Sequence, residues 1–457
     1  MGQSEGPVEV PSNGTVWQSD GPAEIPSNAS TPRSDVLVSV RSVLEDEPLL
    51  VQKELTVDEE DEADEAVEET APVLAPAAKV FFLDGIRGLA AILVVTQHSH
   101  EYMQDLNLGA IAVDSFFVLS SFLLTWLFMR KSIRLLDARA GARTWLFAVA
   151  DYLSRRFFRV YPLFAITCIV LWCMTDADKD NYYLVKGTGS YDLLKTLTFE
   201  FHHRYHVFWT LPLEITYYFI IPVFVLVTLA LRKFWWVPFV PAYCWVVYEG
   251  WNEYRTSHAP FRPHIPTFLA GSMAAVIFLK LDTWMKANEF EFRLVHKVVL
   301  RAIEFTAIAL FLSIAFRGLF FIWVHANIAP TTPGFPFTSV LLTIIIVSEM
   351  LLPSSVSSVF GWSVLRHWGK ISFSVYLLHT FVISNKSVNH QSNYYCRLFS
   401  RFGLICVLAT TSYYVVEYPS QLVAKRVTKA LSAQEAKGYN YALPSQCDDD
   451  AGKPADK

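Results

Sequence analysis

Charge is scarce in this chain. Of 457 residues only 18% are Asp, Glu, Lys or Arg, against 53% hydrophobic and 15% aromatic. The apolar residues fall in long runs rather than in alternation, the pattern of a polytopic membrane protein. Cysteine is scarce as well: Cys168, Cys173, Cys244, Cys396, Cys406 and Cys447 form no CxxC pair and no metal-ligand spacing, so they read as packing residues. No apolar stretch of the signal-peptide kind follows Met1, so no cleavable leader is expected and the first span serves as a signal anchor. Nor do two halves of the chain repeat one another with matching Gly/Pro-broken helices, a feature common among transporters.

What charge there is lies unevenly. Residues 1–79 hold eighteen Asp and Glu against four Lys and Arg, a formal −14, which leaves +9 for the remainder of a chain whose total is −5. The self-repelling run Asp58-Glu59-Glu60-Asp61-Glu62-Ala63-Asp64-Glu65 defeats a compact core, so residues 1–79 are expected to be a disordered acidic cytosolic tail. A membrane domain over 80–420 and a cytosolic C-terminal tail over 421–457 complete the expected division.

From Val80 onward about ten apolar segments follow, near 82–99, 110–129, 159–175, 210–231, 234–248, 264–281, 303–324, 337–352, 370–386 and 402–418. The expected fold is all-α, with about ten transmembrane helices around a central cavity. The link after the second segment carries Arg130, Lys131, Arg134, Arg139, Arg143, Arg155, Arg156 and Arg159, and so basic a link belongs in the cytosol. Counting helices from there puts both termini in the cytosol and the nearly uncharged 325–336 loop outside. Sequons stand at Asn13, Asn28 and Asn385. Only Asn385 falls on the luminal side of this scheme, as a candidate glycosylation site.

The most informative pair is Arg87 and His98, both within the first apolar segment. A hydrophobic span carries ionisable groups at high cost, so a cation near one end and an imidazole near the other ask for a functional reason. On a helix they stand about 16 Å apart, eleven steps of about 1.5 Å. That matches the reach of a coenzyme A arm, with phosphates at one end and a thioester at the other.

Further motifs follow in order. They are Val113-Asp114-Ser115-Phe116-Phe117-Val118-Leu119-Ser120-Ser121-Phe122, Arg155-Arg156-Phe157-Phe158-Arg159-Val160-Tyr161-Pro162, Trp209-Thr210-Leu211-Pro212-Leu213-Glu214, Gly369-Lys370-Ile371-Ser372-Phe373-Ser374-Val375-Tyr376-Leu377-Leu378-His379, and Glu417-Tyr418-Pro419. With Leu83-Asp84-Gly85-Ile86-Arg87-Gly88-Leu89 and His98, they resemble the acyltransferase 3 family of integral-membrane, acyl-CoA-dependent O-acyltransferases, as a fungal-type member. The resemblance covers roughly residues 80–420. Ser121 departs from it, since the family commonly has Gly there. His100 adds a second imidazole two residues beyond His98.

The resemblance implies roles. His98 is expected as a general base on the acceptor hydroxyl, for which a neutral imidazole is suited, against the plainer role of an interhelical hydrogen bond. Arg87, with Arg155, Arg156 and Arg159, would cradle the phosphates of acyl-CoA, although a basic cytosolic loop is what topology alone requires. Glu214 would orient His98 or bind the acceptor, or simply cap its helix. Asp114, Ser120, Trp209 and His379 are expected near the acceptor, with helix packing as the alternative. His202 and His206, at i and i+4, would share one face of a helix, but no Cys or Glu completes a zinc site. No metal and no permanently bound cofactor is expected; acyl-CoA, most simply acetyl-CoA, enters as co-substrate, the other partners being a hydroxyl-bearing acceptor and the bilayer, not nucleic acid.

The expected function is transfer of an acyl group to a hydroxyl of a lipophilic small molecule such as a secondary metabolite. The lack of any appended carbohydrate-binding or esterase domain favours that acceptor over a glycan or lipid. A transporter using Arg87 and His98 as a substrate and proton site is the alternative of another class. The endoplasmic reticulum is the expected membrane.

Overall fold

In the computed structural model the described residues are 74–440, apart from 104–105, 107, 188, 253–259, 317 and 323–335. The acidic stretch, the sequons Asn13 and Asn28 and nearly all of the 325–336 loop lie outside them. Among the described residues every regular element is helical. Seven helical stretches are long and apolar enough to cross a bilayer, and two shorter apolar helices, Thr338–Leu351 and Ser372–Ile383, accompany them. The expected all-α fold is therefore present, with seven full-length candidate spans where ten were counted.

The helices that build the site are α1 (Leu74–His98), α2 (Leu108–Asp137), α3 (Ala142–Cys173), the short α4 (Asp176–Tyr183) and α5 (Leu193–Leu197), and α6 (Thr210–Ala230). There follow α7 (Trp236–Asn252), α8 (Ile265–Ala287), α9 (Leu294–Ala315), α10 (Pro336–Leu351), α11 (Ser355–Phe360), α12 (Ser363–Lys370) and α13 (Ser372–Ile383). A short α14 (Lys386–Asn389), then α15 (Tyr394–Ser412), a π-helical turn Tyr413–Glu417 and α16 (Tyr418–Asn440) end the described chain.

Two stretches outside the apolar segments are helical. The basic link after the second segment is almost wholly helical: α2 runs to Asp137 and α3 begins at Ala142. Two of its charges are matched within the bundle: Asp151 accepts from Lys131 (2.9 Å) and Arg155 (3.0 Å) and also from Thr428 of α16 (2.6 Å). Residues 421–440, expected as tail, continue as α16, and Arg143 donates to the carbonyl of Gln434 (3.0 Å).

Small residues set the closest approaches, as is common where helices associate in lipid. On α1, a Cβ at Gly88 would lie 1.9 Å from the carbonyl oxygen of Leu365, and one at Gly85 1.8 Å from that of Phe360. Gly369 of α12 answers from the other side, its Cβ position 2.0 Å from the carbonyl of Asp84. The segment bearing Arg87 is thus clamped backbone to backbone. Ser121 faces Gly271 of α8 in the same way, its hydroxyl turned back onto the Phe117 carbonyl at 2.8 Å. The Gly-to-Ser departure therefore falls at a helix contact. Thr125 and Tyr217 both reach the Ser272 hydroxyl, at 2.9 and 2.8 Å, tying α2, α6 and α8 together inside the apolar core.

Gly88→Val should force α1 off α12, and overpacking of this kind costs about 1–3 kcal/mol. Gly141→Ala, whose new Cβ meets nothing within 4 Å, should fall within about 0.5 kcal/mol of the parent. Thermal unfolding of both proteins in detergent checks the contrast.

Candidate active site

Five helices converge on a cavity of about 630 Å³, counting its open mouth. Arg87 of α1 and Arg159 of α3 line it together with Ser120 of α2, Glu214 and Tyr218 of α6, and Tyr376 of α13. Phe116, Phe117 and Phe373 supply apolar wall. Arg87 pairs with Asp84 one turn earlier at 3.6 Å, both side chains being mostly buried. Arg159, Arg156 and Glu214 all lie within electrostatic range of it. The cavity therefore gathers guanidinium groups that α1 and α3 carry into an otherwise apolar bundle, with carboxyls interleaved among them.

Glu417 joins from the π-helical turn. It is 2% exposed, accepts a hydrogen bond from the Ser374 hydroxyl and feels the charge of Arg159. A π-turn inserts an extra residue into the helix and re-aims its side chains, and here it delivers a carboxylate to the arginine cluster. Glu417 was quoted in the closing motif but was not among the expected site residues.

His98 stands at the far end of α1, beyond the cavity lining. Its Nδ1 meets Nε2 of His379 at 2.6 Å, the two rings nearly coplanar at 5°. Nδ1 of His379 in turn donates to the Val375 carbonyl at 3.0 Å. His206 packs its ring 5.2 Å from that of His98, held by a backbone φ of 41°, the left-handed region that non-glycine residues seldom occupy. The sequence reading had grouped His206 with His202 on one helix face. Instead they lie in separate 3-10 turns, Phe201–His203 and His206–Trp209, with non-helical Arg204 and Tyr205 between them.

Tyr376 connects the two regions. It lines the cavity, its ring lies 6.3 Å from that of His379 and 6.4 Å from Phe116, and its hydroxyl donates to the Val207 carbonyl at 3.0 Å. One aromatic side chain thus belongs both to the arginine cavity and to the surroundings of the histidine pair.

The expected residues divide accordingly. Arg87, Arg159, Glu214 and Ser120 meet at the cavity, and Arg156 is beside it. Arg155 does not reach it, its guanidinium being taken by Asp151. Asp114 is 2% exposed and not part of the lining. Trp209 packs against Phe117 and His264, at 6.2 and 5.3 Å. His379 is fully buried with both ring nitrogens engaged, which leaves no free edge for an acceptor. Asn385 caps α14, its side-chain oxygen accepting from Ser387 N at 3.0 Å and Val388 N at 3.4 Å. His100, the second imidazole, is exposed on a turn.

A multi-pass helical bundle that gathers arginines and carboxyls around a cavity, with paired histidines beyond its lining, is the architecture of an intramembrane enzyme or carrier. The match of residues 80–415 to the acyltransferase domain model of the acyltransferase 3 type decides between them: the chain belongs to that family. A Bacillus subtilis (strain 168) protein named "Putative peptidoglycan O-acetyltransferase" is 26% identical over 365 residues, 74% of this chain and 54% of that protein. A Staphylococcus aureus (strain COL) protein named "Putative O-acetyltransferase" is 26% identical over 380 residues, 74% of this chain and 56% of its own length. The chain thus spans about half the length of these curated relatives. No solved structure matches.

Tyr376→Phe should keep the wall and lose the hydroxyl's bonds to the Val207 carbonyl and to Thr210, a cost of about 0.5–1.5 kcal/mol for each. A modest fall in thermal unfolding temperature, with the helical circular dichroism unchanged, is the expected result.

Proposed function

We propose that this protein is a membrane-bound O-acyltransferase that moves an acyl group, most simply acetyl, from acyl-CoA to a hydroxyl of a lipophilic small molecule such as a secondary metabolite. The observation that carries this reading is the arginine-lined cavity beside the His98–His379 pair, in a chain of the acyltransferase 3 family. Planar guanidinium groups bind phosphate oxygens two at a time, so Arg87 and Arg159, with Arg156 close by, suit the phosphates of the donor. The aromatic wall suits its apolar arm.

In the proposed reaction the His98 imidazole takes the proton of the acceptor hydroxyl as its oxygen attacks the thioester carbonyl. The new C–O bond forms, the C–S bond breaks, and the proton passes on to the departing CoA thiolate. Tyr376 lies between the arginine cavity and the histidine pair, on the way the donor's arm would take. A glycan acceptor is the second reading, favoured by the printed name of the Bacillus subtilis relative.

Both termini are placed in the cytosol, and the endoplasmic reticulum is the proposed membrane. Supporting the orientation, Lys131, Arg143 and α16, with its Lys425, Arg426 and Lys429, gather at one end, and a concentration of basic residues favours the cytosolic side.

With acetyl-CoA as donor, His98→Ala should lower CoA release by about 10²–10⁴-fold. Arg87→Gln and Arg159→Gln should each raise KM for acetyl-CoA by about 10- to 100-fold, the scale of one hydrogen bond to a charged group. Solute uptake into proteoliposomes with no CoA release would replace this reading with transport. Mass spectrometry of a deletion strain against its parent should reveal a compound lighter by one acyl unit, which names the acceptor.

A further inference from the structure

We infer that His379 is a positioning residue for His98: it fixes which nitrogen of the His98 ring bears the proton and leaves the other, Nε2, as the base. This rests on the proposed role of His98 and assigns to His379 a different task from contact with an acceptor.

The chain of hydrogen bonds runs one way. A backbone carbonyl can only accept, so the contact of His379 Nδ1 with the Val375 oxygen at 3.0 Å requires a proton on Nδ1. A neutral imidazole carries one N–H, so Nε2 of His379 is a bare acceptor. Its partner at 2.6 Å, Nδ1 of His98, must then be the donor. The only nitrogen left with a lone pair on a neutral His98 is Nε2. In a free imidazole the proton divides between the two nitrogens; here helix α13 makes the choice through a fixed backbone oxygen.

The geometry suits this single purpose. His379 is 0% exposed, so water cannot substitute for it. The near-coplanar arrangement of the rings, 5° apart, directs the His98 N–H along the His379 lone pair. On another side His206, with its left-handed backbone, packs at 5.2 Å against the His98 ring and limits its rotation. His98 itself remains part-buried, unlike the sealed His379. The arrangement is the one by which a histidine's outer partner sets its tautomer at other reactive centres.

The test compares two replacements of His379 in the full chain, purified in detergent, with acetyl-CoA as donor and water or a short-chain alcohol as acceptor. His379→Gln places an amide oxygen near the position of Nε2 and keeps an acceptor for His98. His379→Leu keeps bulk and removes the acceptor. CoA release by the Leu variant should drop about 10- to 100-fold in kcat, the range seen when an orienting partner of a reactive histidine is lost, with KM for acetyl-CoA unchanged. The Gln variant should recover most of kcat.

Nitrogen-15 spectra of histidine-labelled protein give a readout independent of turnover. His98 should show a protonated Nδ1 and bare Nε2 in the parent and the Gln variant, and a mixture of tautomers in the Leu variant. Equal kcat in the parent and both variants overturns the positioning role and leaves the base untouched, whereas a His98 protonated on Nε2 in the parent overturns both the positioning role and Nε2 as the base. CoA release that persists in His98→Ala overturns the base, and the positioning role with it.

Discussion

A guanidinium group inside an apolar bundle is the constraint around which this molecule is arranged. It cannot shed its charge, and taking it from water costs several kcal/mol unless partners and polar space are supplied. Arg87, Arg156 and Arg159 repel one another, so the fold brings Asp84, Glu214 and Glu417 among them and leaves a hollow in their midst. The cavity and the charges are therefore one feature. Ser120, Glu214, Tyr218 and Tyr376 share the polar lining with the arginines.

Positioning of that cluster depends on backbone rather than on side chains. Gly85, Gly88 and Gly369 let α1 approach the chain of α11 and α12 to within contact of carbonyl oxygens, which sets the height of Arg87 in the bundle. The π-turn Tyr413–Glu417 interrupts a long helix where Glu417 meets Ser374 and comes within electrostatic range of Arg159. Both devices trade regular packing for the placement of a charge.

At the other end of α1 the currency is the hydrogen bond. His98, His379 and the Val375 carbonyl form a directed chain in which each member determines the protonation of the next. Tyr376, shared between this chain and the arginine cavity, keeps two differently charged environments apart while leaving them one side chain from communication.

Much of this was legible in the primary structure, and the limits of legibility have causes. Long apolar runs specify helices because a bilayer admits no unpaired backbone, so the all-α class could be read directly. The pairing of Arg87 with His98 along one helix was legible too, since eleven residues of helix have a fixed rise. Span count was not: Thr338–Leu351 and Ser372–Ile383 are too short for a full crossing, and hydropathy cannot tell a half-span packed in protein from a whole one. Nor could composition distinguish Arg155, consumed by Asp151, from Arg159, which reaches the cavity, because two arginines four positions apart on one helix differ only in what the neighbouring helices bring opposite them. His206, Glu417 and Tyr376 entered the site through a left-handed turn, a π-turn and a helix docked from nearly 280 residues away in sequence, the His98–His379 separation being 281. By itself the order of residues determined which segments bury themselves and which chemistry they carry. Only tertiary structure decided which of those groups meet, because contact between distant helices depends on close packing and on carbonyl oxygens that every residue has alike.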